Sequence, residues 1–373
     1  MTKRNNTDQK TIIFFNGFYL PHLGGVERYT SGLINELKRF YKVVIVTSNV
    51  PQQSKNHEII DDIEIYRLPT YKPLQDRFPI LKRNSEYHKL IKEIQKIPAS
   101  HIICNTRYYQ INVLGAKIAK KHNIDLLAID HSSSHITIGN RIIDKFIAIY
   151  DERITKKIKK MSPRFYGVSK KCNEWLKHYD IKASGVFYNA VVGQSIKRIK
   201  TNKIRIGYAG RIIPEKGVEN LIQAYNRVKN KNTELVIIGD GPQLNYLKKQ
   251  YKGIKFTGAL DHAKILAELS KIDIFVYPSM YPEGFPTAIL EAGLAGCAII
   301  ATDRGGTREL ISDQKLGIIV DENVEDLAKK LSKLVSDPKM VQNYQKNIQR
   351  KVKAEFTWGQ VAKVVIKELQ KYE

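Results

Sequence analysis

Short apolar runs recur along the first half of the chain at intervals that leave room for one helix between many of them. TIIFFN (11–16), KVVIVTS (42–48), IEIYRL (63–68), HIICN (101–105), DLLAID (125–130) and RFYGVS (164–169) have strand length and run apolar without regular alternation. That is the pattern of strands covered on both faces in a parallel sheet. Between them, VERYTSGLINELKRF (26–40) and INVLGAKIAKKH (111–122) place apolar residues at helical spacing. Strand–helix alternation of this kind predicts an α/β, doubly wound sheet.

From about residue 189 the alternation stops, and it restarts with IRIGYAG (204–210). ELVIIGD (234–240), IKFTG (254–258), IDIFVYP (272–278), CAIIATD (297–303) and LGIIV (316–320) follow as strands, and 323–373 reads as helical. The expected organisation is a Rossmann-like domain over 1–190, a linker over 191–203, a second Rossmann-like domain over 204–355, and a C-terminal helix, 356–373, crossing back to the first domain. A length of 373 residues accommodates two such cores. Two halves of this type predict a cleft between them, with ligands beyond the carboxyl ends of the strands.

Composition narrows the class. A hydrophobic content of 42% with mixed charge belongs to a folded chain. Cys104, Cys172 and Cys297 are odd in number and have no metal-like spacing, which suits a reducing compartment. The polar N-terminal decapeptide shows no signal-peptide pattern, and no apolar run approaches membrane-spanning length. The expected location is cytoplasmic, or peripheral on the inner face of the cell membrane. Net charge is +25 and uneven: residues 1–200 hold 35 Lys and Arg against 17 Asp and Glu, residues 201–373 hold 27 against 20. A basic first half suits an anionic leaflet or a pyrophosphate-bearing substrate, or else a solvated Lys-rich surface. Nucleic acid is not expected as a partner, because no nucleic-acid motif accompanies the charge. The run Lys156–Lys160 and the amphipathic stretch 86–97 (apolar Tyr87, Leu90, Ile91, Ile94, Ile97; basic Lys89, Lys92, Lys96) are candidates for contact with an anionic membrane.

Chemistry concentrates in residues 281–297, YPEGFPTAILEAGLAGC. Glu283 lies on a Gly/Pro-rich turn, and Glu291 eight positions later lies in an apolar helical run, where an acid must be paired or grip a polar ligand. The turn-to-helix junction offers free N–H groups and a helix dipole to an anion. Together these features suit a ligand both hydroxyl-rich and phosphorylated, such as a nucleotide sugar. Leu23-Gly24-Gly25-Val26-Glu27-Arg28 follows the first strand and lets backbone approach a ligand, without forming a dinucleotide fingerprint. His131 stands at a strand's carboxyl end, where it can donate to a sugar hydroxyl or phosphate oxygen. In Gly210-Arg211-Ile212-Ile213-Pro214-Glu215-Lys216-Gly217, Arg211 and Lys216 lie across a short turn and form a candidate pyrophosphate clamp. Gly239–Pro242 and Gly305–Glu309 read as structural turns at strand ends.

P-x-L-G-G-V-E near the N-terminus, the mid-chain histidine, G-R-x-x-P-E-K-G, G-D-G-P and E-G-F-P-x-x-x-L-E-A occur in that order. In this combination the whole chain resembles the retaining GT-B glycosyltransferases of family 4. The resemblance implies two Rossmann-like domains facing an interdomain cleft, no cofactor and no required metal. It implies that Arg211 and Lys216 bind the donor diphosphate, Glu291 the ribose, and Glu283 with the backbone of Gly284, Phe285 and Pro286 the transferred sugar. Gly25 and Thr287 would sit near phosphate, Gly210 would be part of the donor site, the base would lie near Phe256, Gly258 and Ile265, and His131 would lie against the sugar. Tyr188-Asn189-Ala190 departs from the family's usual Asn-Gly-(Ile/Val)-Asp, so no role passes to Asn189.

The expected activity is therefore transfer of a sugar from a nucleotide donor, a UDP-sugar, to a glycan or lipid-linked acceptor in surface polysaccharide or glycoconjugate synthesis. Arg211, Lys216, Glu283 and His131 are the expected catalytic residues, with front-face substitution and retention. The alternatives are a non-catalytic GT-B partner of another transferase and a sugar-nucleotide epimerase.

Overall fold

The computed structural model describes residues 9–22, 24–50, 55–71, 78–137 and 139–372. Leu23 of the glycine motif lies outside the described residues. The chain divides into two compact units, residues 1–188 with 361–373 and residues 189–360.

The first unit is built on an eight-stranded sheet. Its strands are β1 (Thr11–Asn16), β2 (Lys42–Ser48), β3 (His57–Ile60), β4 (Ile63–Leu68), β7 (Ala99–Asn105), β8 (Asp125–Asp130), β9 (Arg164–Gly167) and β10 (Gly185–Val186), while β5 (Thr70–Tyr71) and β6 (Ile80–Leu81) form a separate small hairpin. The order is β10-β9-β8-β7-β1-β2-β4-β3. All neighbours are parallel except β3, which runs antiparallel to β4 at the edge. Every residue of β1 is buried, as the unbroken apolar run requires when helices cover both faces. Ile12, Phe14, Val44, Ile45, Ile102, Ile103, Leu127 and Ile129 are fully buried, each worth ~1.5–3 kcal/mol in removed apolar surface. The edge strand β3 was not legible in the hydrophobic pattern, because it is half exposed and Ile59 points to solvent.

In the helix Ser85–Ile94, capped by the Asn84 side chain on the Tyr87 N–H, the residues Tyr87, Leu90 and Ile94 join the core. Its apolar face is thus occupied by packing, which removes 86–97 as a membrane-binding stretch. The basic run 156–160 lies at the end of the helix Arg141–Lys159. That helix buries Ile147, Ile154 and Ile158 and leaves Ile142, Phe146 and Ile149 exposed.

The second unit holds six parallel strands: β11 (Ile204–Ala209), β12 (Thr233–Ile238), β13 (Lys255–Gly258), β14 (Ile274–Tyr277), β15 (Ala298–Thr302) and β16 (Ile318–Val320). Their order, β13-β12-β11-β14-β15-β16, is the Rossmann order, and it reverses between β11 and β14. Residues 191–203, expected as a linker, are fastened to this unit. Val191 bridges Thr357, and Arg198 donates from Nη1 to the Ile272 and Gly296 carbonyls at 2.6 and 2.9 Å and pairs through Nη2 with Asp273 at 2.7 Å. The last helix, Trp358–Gln370, begins in the second unit, and its residues from Val361 on belong to the first. Among the described residues no helix is long and apolar enough to cross a membrane. Cys104, Cys172 and Cys297 are all buried.

Candidate functional site

The switch point of the second sheet assembles most of the residues singled out in the sequence. From the end of β11 the chain enters Gly210–Gly217; from the end of β14 it enters Ser279–Pro286. The Met280 N–H donates to the Glu215 carbonyl at 2.8 Å and ties the two turns together. Glycine permits the approach. Gly217 has φ +66°, and a Cβ there would lie 2.2 Å from the Pro278 carbonyl oxygen. Gly305, at φ +53° after β15, passes so close to the Glu283 and Gly284 carbonyls that a Cβ would sit 2.8 and 2.6 Å from them.

The centre of this arrangement is an ion pair between Lys216 Nζ and Glu283 Oε1, both side chains mostly buried. The Tyr277 hydroxyl and Ser279 Oγ each donate to the same carboxylate oxygen at 2.9 Å, and Lys216 also reaches the Tyr277 oxygen at 3.0 Å. The rings of Tyr277 and Tyr281 flank the ammonium at 5.5 and 5.1 Å. Burial, then the Glu283 charge, push the Tyr277 hydroxyl well above its ordinary range, so it remains a donor. Of the two cations expected to clamp a pyrophosphate, Lys216 is held by Glu283 and Arg211 is exposed.

Phe285 is buried, packed against Gly306 and edge-on to Phe356 at 5.3 Å, which leaves only its backbone for a ligand. Gly284 and Thr287 stay partly open, and Thr287 begins the helix Thr287–Leu294, which carries Glu291. Glu291 Oε1 meets His262 Nε2 at 2.9 Å, joining that helix to His262–Leu269, where half-buried Ile265 also sits. Phe256 and Gly258 lie on β13, and Gly210 turns the chain out of β11 at φ +156°.

Tyr277, Ser279 and His262 were not singled out from sequence, and Asn189 was given no role there. Asn189 donates through Nδ2 to the Phe285 carbonyl at 2.9 Å and so braces the acidic turn. The hydroxyl-bearing YPS before the turn was a weak signal. His262 and Asn189 offered none, since their partners lie 29 and 96 positions away.

His131 and Gly25 lie in the first unit. Gly25 opens the helix Gly25–Leu37, with free space around its Cα. His131 is held at the carboxyl end of β8 by a chain of donors. The Thr30 hydroxyl donates to the Val26 carbonyl at 2.9 Å and accepts from Asn16 Nδ2 and Asn105 Nδ2. Asn105 therefore presents Oδ1 to His131 Nε2, 2.7 Å away. Burial pushes the imidazole down to about 3. The ring is neutral near pH 7, its proton is on Nε2, and Nδ1 is left as an acceptor. His131, expected to donate to a sugar hydroxyl or phosphate oxygen, is fitted by this hydrogen-bond chain to accept from a hydroxyl.

Comparison with known proteins agrees with this architecture. The family described as Glycosyltransferase Family 4 matches residues 23–192, and Glycosyl transferases group 1 matches residues 194–351. An uncharacterized glycosyltransferase of Methanocaldococcus jannaschii is 27% identical, with 94% of this chain and 96% of that protein covered. A sucrose-phosphate synthase from Thermosynechococcus elongatus superposes with TM-score 0.74 at 17% identity, over 97% of this chain and 99% of that one. HepE from Anabaena, solved with UDP, gives 0.73 at 17% identity over 97% and 100% of the two chains, and its structure with UDP-glucose gives 0.70 at 16% identity over 97% and 99%. At such identities the solved structures establish the fold, two parallel-sheet Rossmann-like domains of the GT-B type, and the family matches establish the rest: the chain belongs to the group 1 / family 4 glycosyltransferases.

Proposed function

We propose that the chain transfers a sugar from a UDP-sugar to a lipid-linked acceptor in surface polysaccharide or glycoconjugate synthesis, with retention at the anomeric carbon and without a metal. The observation that carries the reading is the Lys216–Glu283 cluster at the switch point of the second sheet, with exposed Arg211 on the same turn as Lys216. Solution of the similarly folded Anabaena HepE with UDP and UDP-glucose supports the donor class.

Cleavage of a nucleotide-sugar bond builds positive charge on the sugar and negative charge on the departing diphosphate. Fixed cations are best spent on the second of these. Lys216 and Arg211 take that role, Glu291 holds the ribose, and the base lies near Phe256, Gly258 and Ile265. Glu283 and the backbone of Gly284–Pro286 bind the sugar, with Gly25 and Thr287 near phosphate and Gly210 part of the donor site. Three donors already converge on Glu283, which suits a binding acid better than a nucleophile. The proposed course is front-face substitution, the leaving phosphate taking the acceptor hydroxyl's proton. Nδ1 of His131 accepts from a sugar hydroxyl.

Peripheral contact with an anionic membrane is assigned to the helix Arg141–Lys159. Its outward Ile142, Phe146 and Ile149, with the basic run 156–160, form an apolar stripe with adjoining cations, the pattern that favours an interfacial position.

A thermal-shift series with UDP-, GDP- and ADP-sugars tests the donor. A UDP-sugar at one hundred times its Kd should stabilise the fold by ~2.7 kcal/mol. No shift with any nucleotide sugar would reject the reading in favour of a non-catalytic partner protein. Interconversion of the donor sugar without acceptor would reject it in favour of an epimerase. Proton NMR of the product's anomeric centre tests retention.

A further inference from the structure

In the first unit three side chains that play no part in the proposed transfer come together beside a buried charge cluster. His135 follows β8, Glu152 lies on the helix Arg141–Lys159, and His178 sits in the single helical turn Lys177–Tyr179. One nitrogen of each histidine and one carboxylate oxygen of Glu152 lie within 4.8 Å of one another. We propose that His135, Glu152 and His178 bind a divalent transition-metal ion, zinc by the chemistry of the ligand set. Two imidazoles and a carboxylate with a remaining open position form an established zinc environment.

Three observations point the same way. First, His135 is oriented as metal-binding histidines are. Its Nδ1 faces Asp151 Oδ2 at 3.1 Å and the Tyr179 hydroxyl at 3.4 Å, so an ion would bind through Nε2, and a carboxylate behind a ligating imidazole fixes its tautomer and raises its basicity. Asp151 is itself immobilised, paired with Arg107 and accepting from the Tyr179 hydroxyl at 2.7 Å. Second, the buried cluster lacks positive charge. Asp130 and Asp151 share the single guanidinium of Arg107, all three 1% exposed or less. Burial pushes the Asp130 carboxyl up against the pull of Arg107, and the Asp151 charge adds to the rise. A cation held by His135, one imidazole away from Asp151, offsets that deficit. Third, the rings are positioned by packing. His178 stacks on Trp175 with centroids 4.8 Å apart and 5° between planes. His135 meets Trp175 and His178 edge-on at 5.0 and 5.2 Å. The ligands come from three separate segments, so an ion would cross-link them and fix the stretch after β8 that also carries His131. His178 is exposed, which gives the ion a path from solvent.

The test uses the full chain, freed of metal with EDTA and titrated with Zn²⁺ against a chromogenic chelator at pH 7.5, then with Co²⁺ followed by its visible absorption. One equivalent per chain and a higher melting temperature are expected. His178→Ala and Glu152→Gln should each weaken binding more than ~10-fold. Their melting temperatures in EDTA should match the unaltered chain, and His88→Ala, on another helix, should bind normally. Binding far below one equivalent, or undiminished binding by both His178→Ala and Glu152→Gln, overturns the assignment.

Discussion

Lys216 and Glu283 hold each other in place, and each shapes what the other can do. Removing one leaves a mostly buried charge without its partner, so Lys216→Ala and Glu283→Gln should both lower stability, by ~1–3 kcal/mol. Arg211 is exposed, and Arg211→Ala should leave the melting temperature unchanged. In steady-state assays Arg211→Ala and Lys216→Ala should each reduce turnover ~100-fold or more. Near-normal rates in both would remove the cations from the leaving-group role. His131 yields a pH prediction with a definite sign. Its folded value lies at about 3, below the ordinary 6.5, so between those values the unfolded chain binds the extra proton. Stability should therefore rise with pH across that window, by up to ~1.4 kcal/mol per unit from this residue. Urea midpoints at pH 5 and 7 should differ less for His131→Gln than for the unaltered chain; an equal difference would show that His131 titrates normally.

At the scale of elements, the two amphipathic helices of the first unit show where sequence stops being informative. Ser85–Ile94 and Arg141–Lys159 both carry an apolar stripe and a basic face. Periodicity says that a stripe exists and is silent on whether protein or lipid covers it. Packing shows which stripe the protein covers: Leu90 is 2% exposed, whereas Phe146 is 68% and Ile142 72% exposed. Leu90→Ala should cost ~2–5 kcal/mol in urea unfolding, the cost of a core cavity. Phe146→Asp should shift stability by no more than ~0.5 kcal/mol. It should, however, abolish co-sedimentation with anionic vesicles, and undiminished sedimentation would detach this helix from any membrane role. The central strands were legible because continuous burial writes itself as continuous apolar sequence. Edge strand β3 and the two-residue β10 escaped because partial exposure and short length erase that signature. The turns carrying Arg211, Lys216 and Glu283 were legible through their glycines, prolines and charges, but their pairing was not.

On the scale of the whole molecule, each unit has its own sheet, and the chain's last stretch is needed by the first one. Val365 and Leu369 are fully buried, and Glu368 accepts from Arg164 at 2.9 Å and from the Tyr166 hydroxyl at 2.6 Å. A chain ending at residue 360 should lose stability in the first unit while the second still responds to nucleotide sugar in the thermal-shift series. By itself the sequence determined the α/β class, two Rossmann-like halves and the turns that hold Arg211, Lys216 and Glu283. All of these follow from local rules: burial period, turn residues, and the cost of placing acids in apolar runs. Tertiary structure alone decided that Lys216 is clasped by Glu283, that His131 presents an acceptor, that residues 191–203 belong to the second unit, and that His135, Glu152 and His178 converge. Those outcomes depend on contacts between residues far apart in the chain, and the energy of such contacts is set by which groups burial brings together, which no local pattern records.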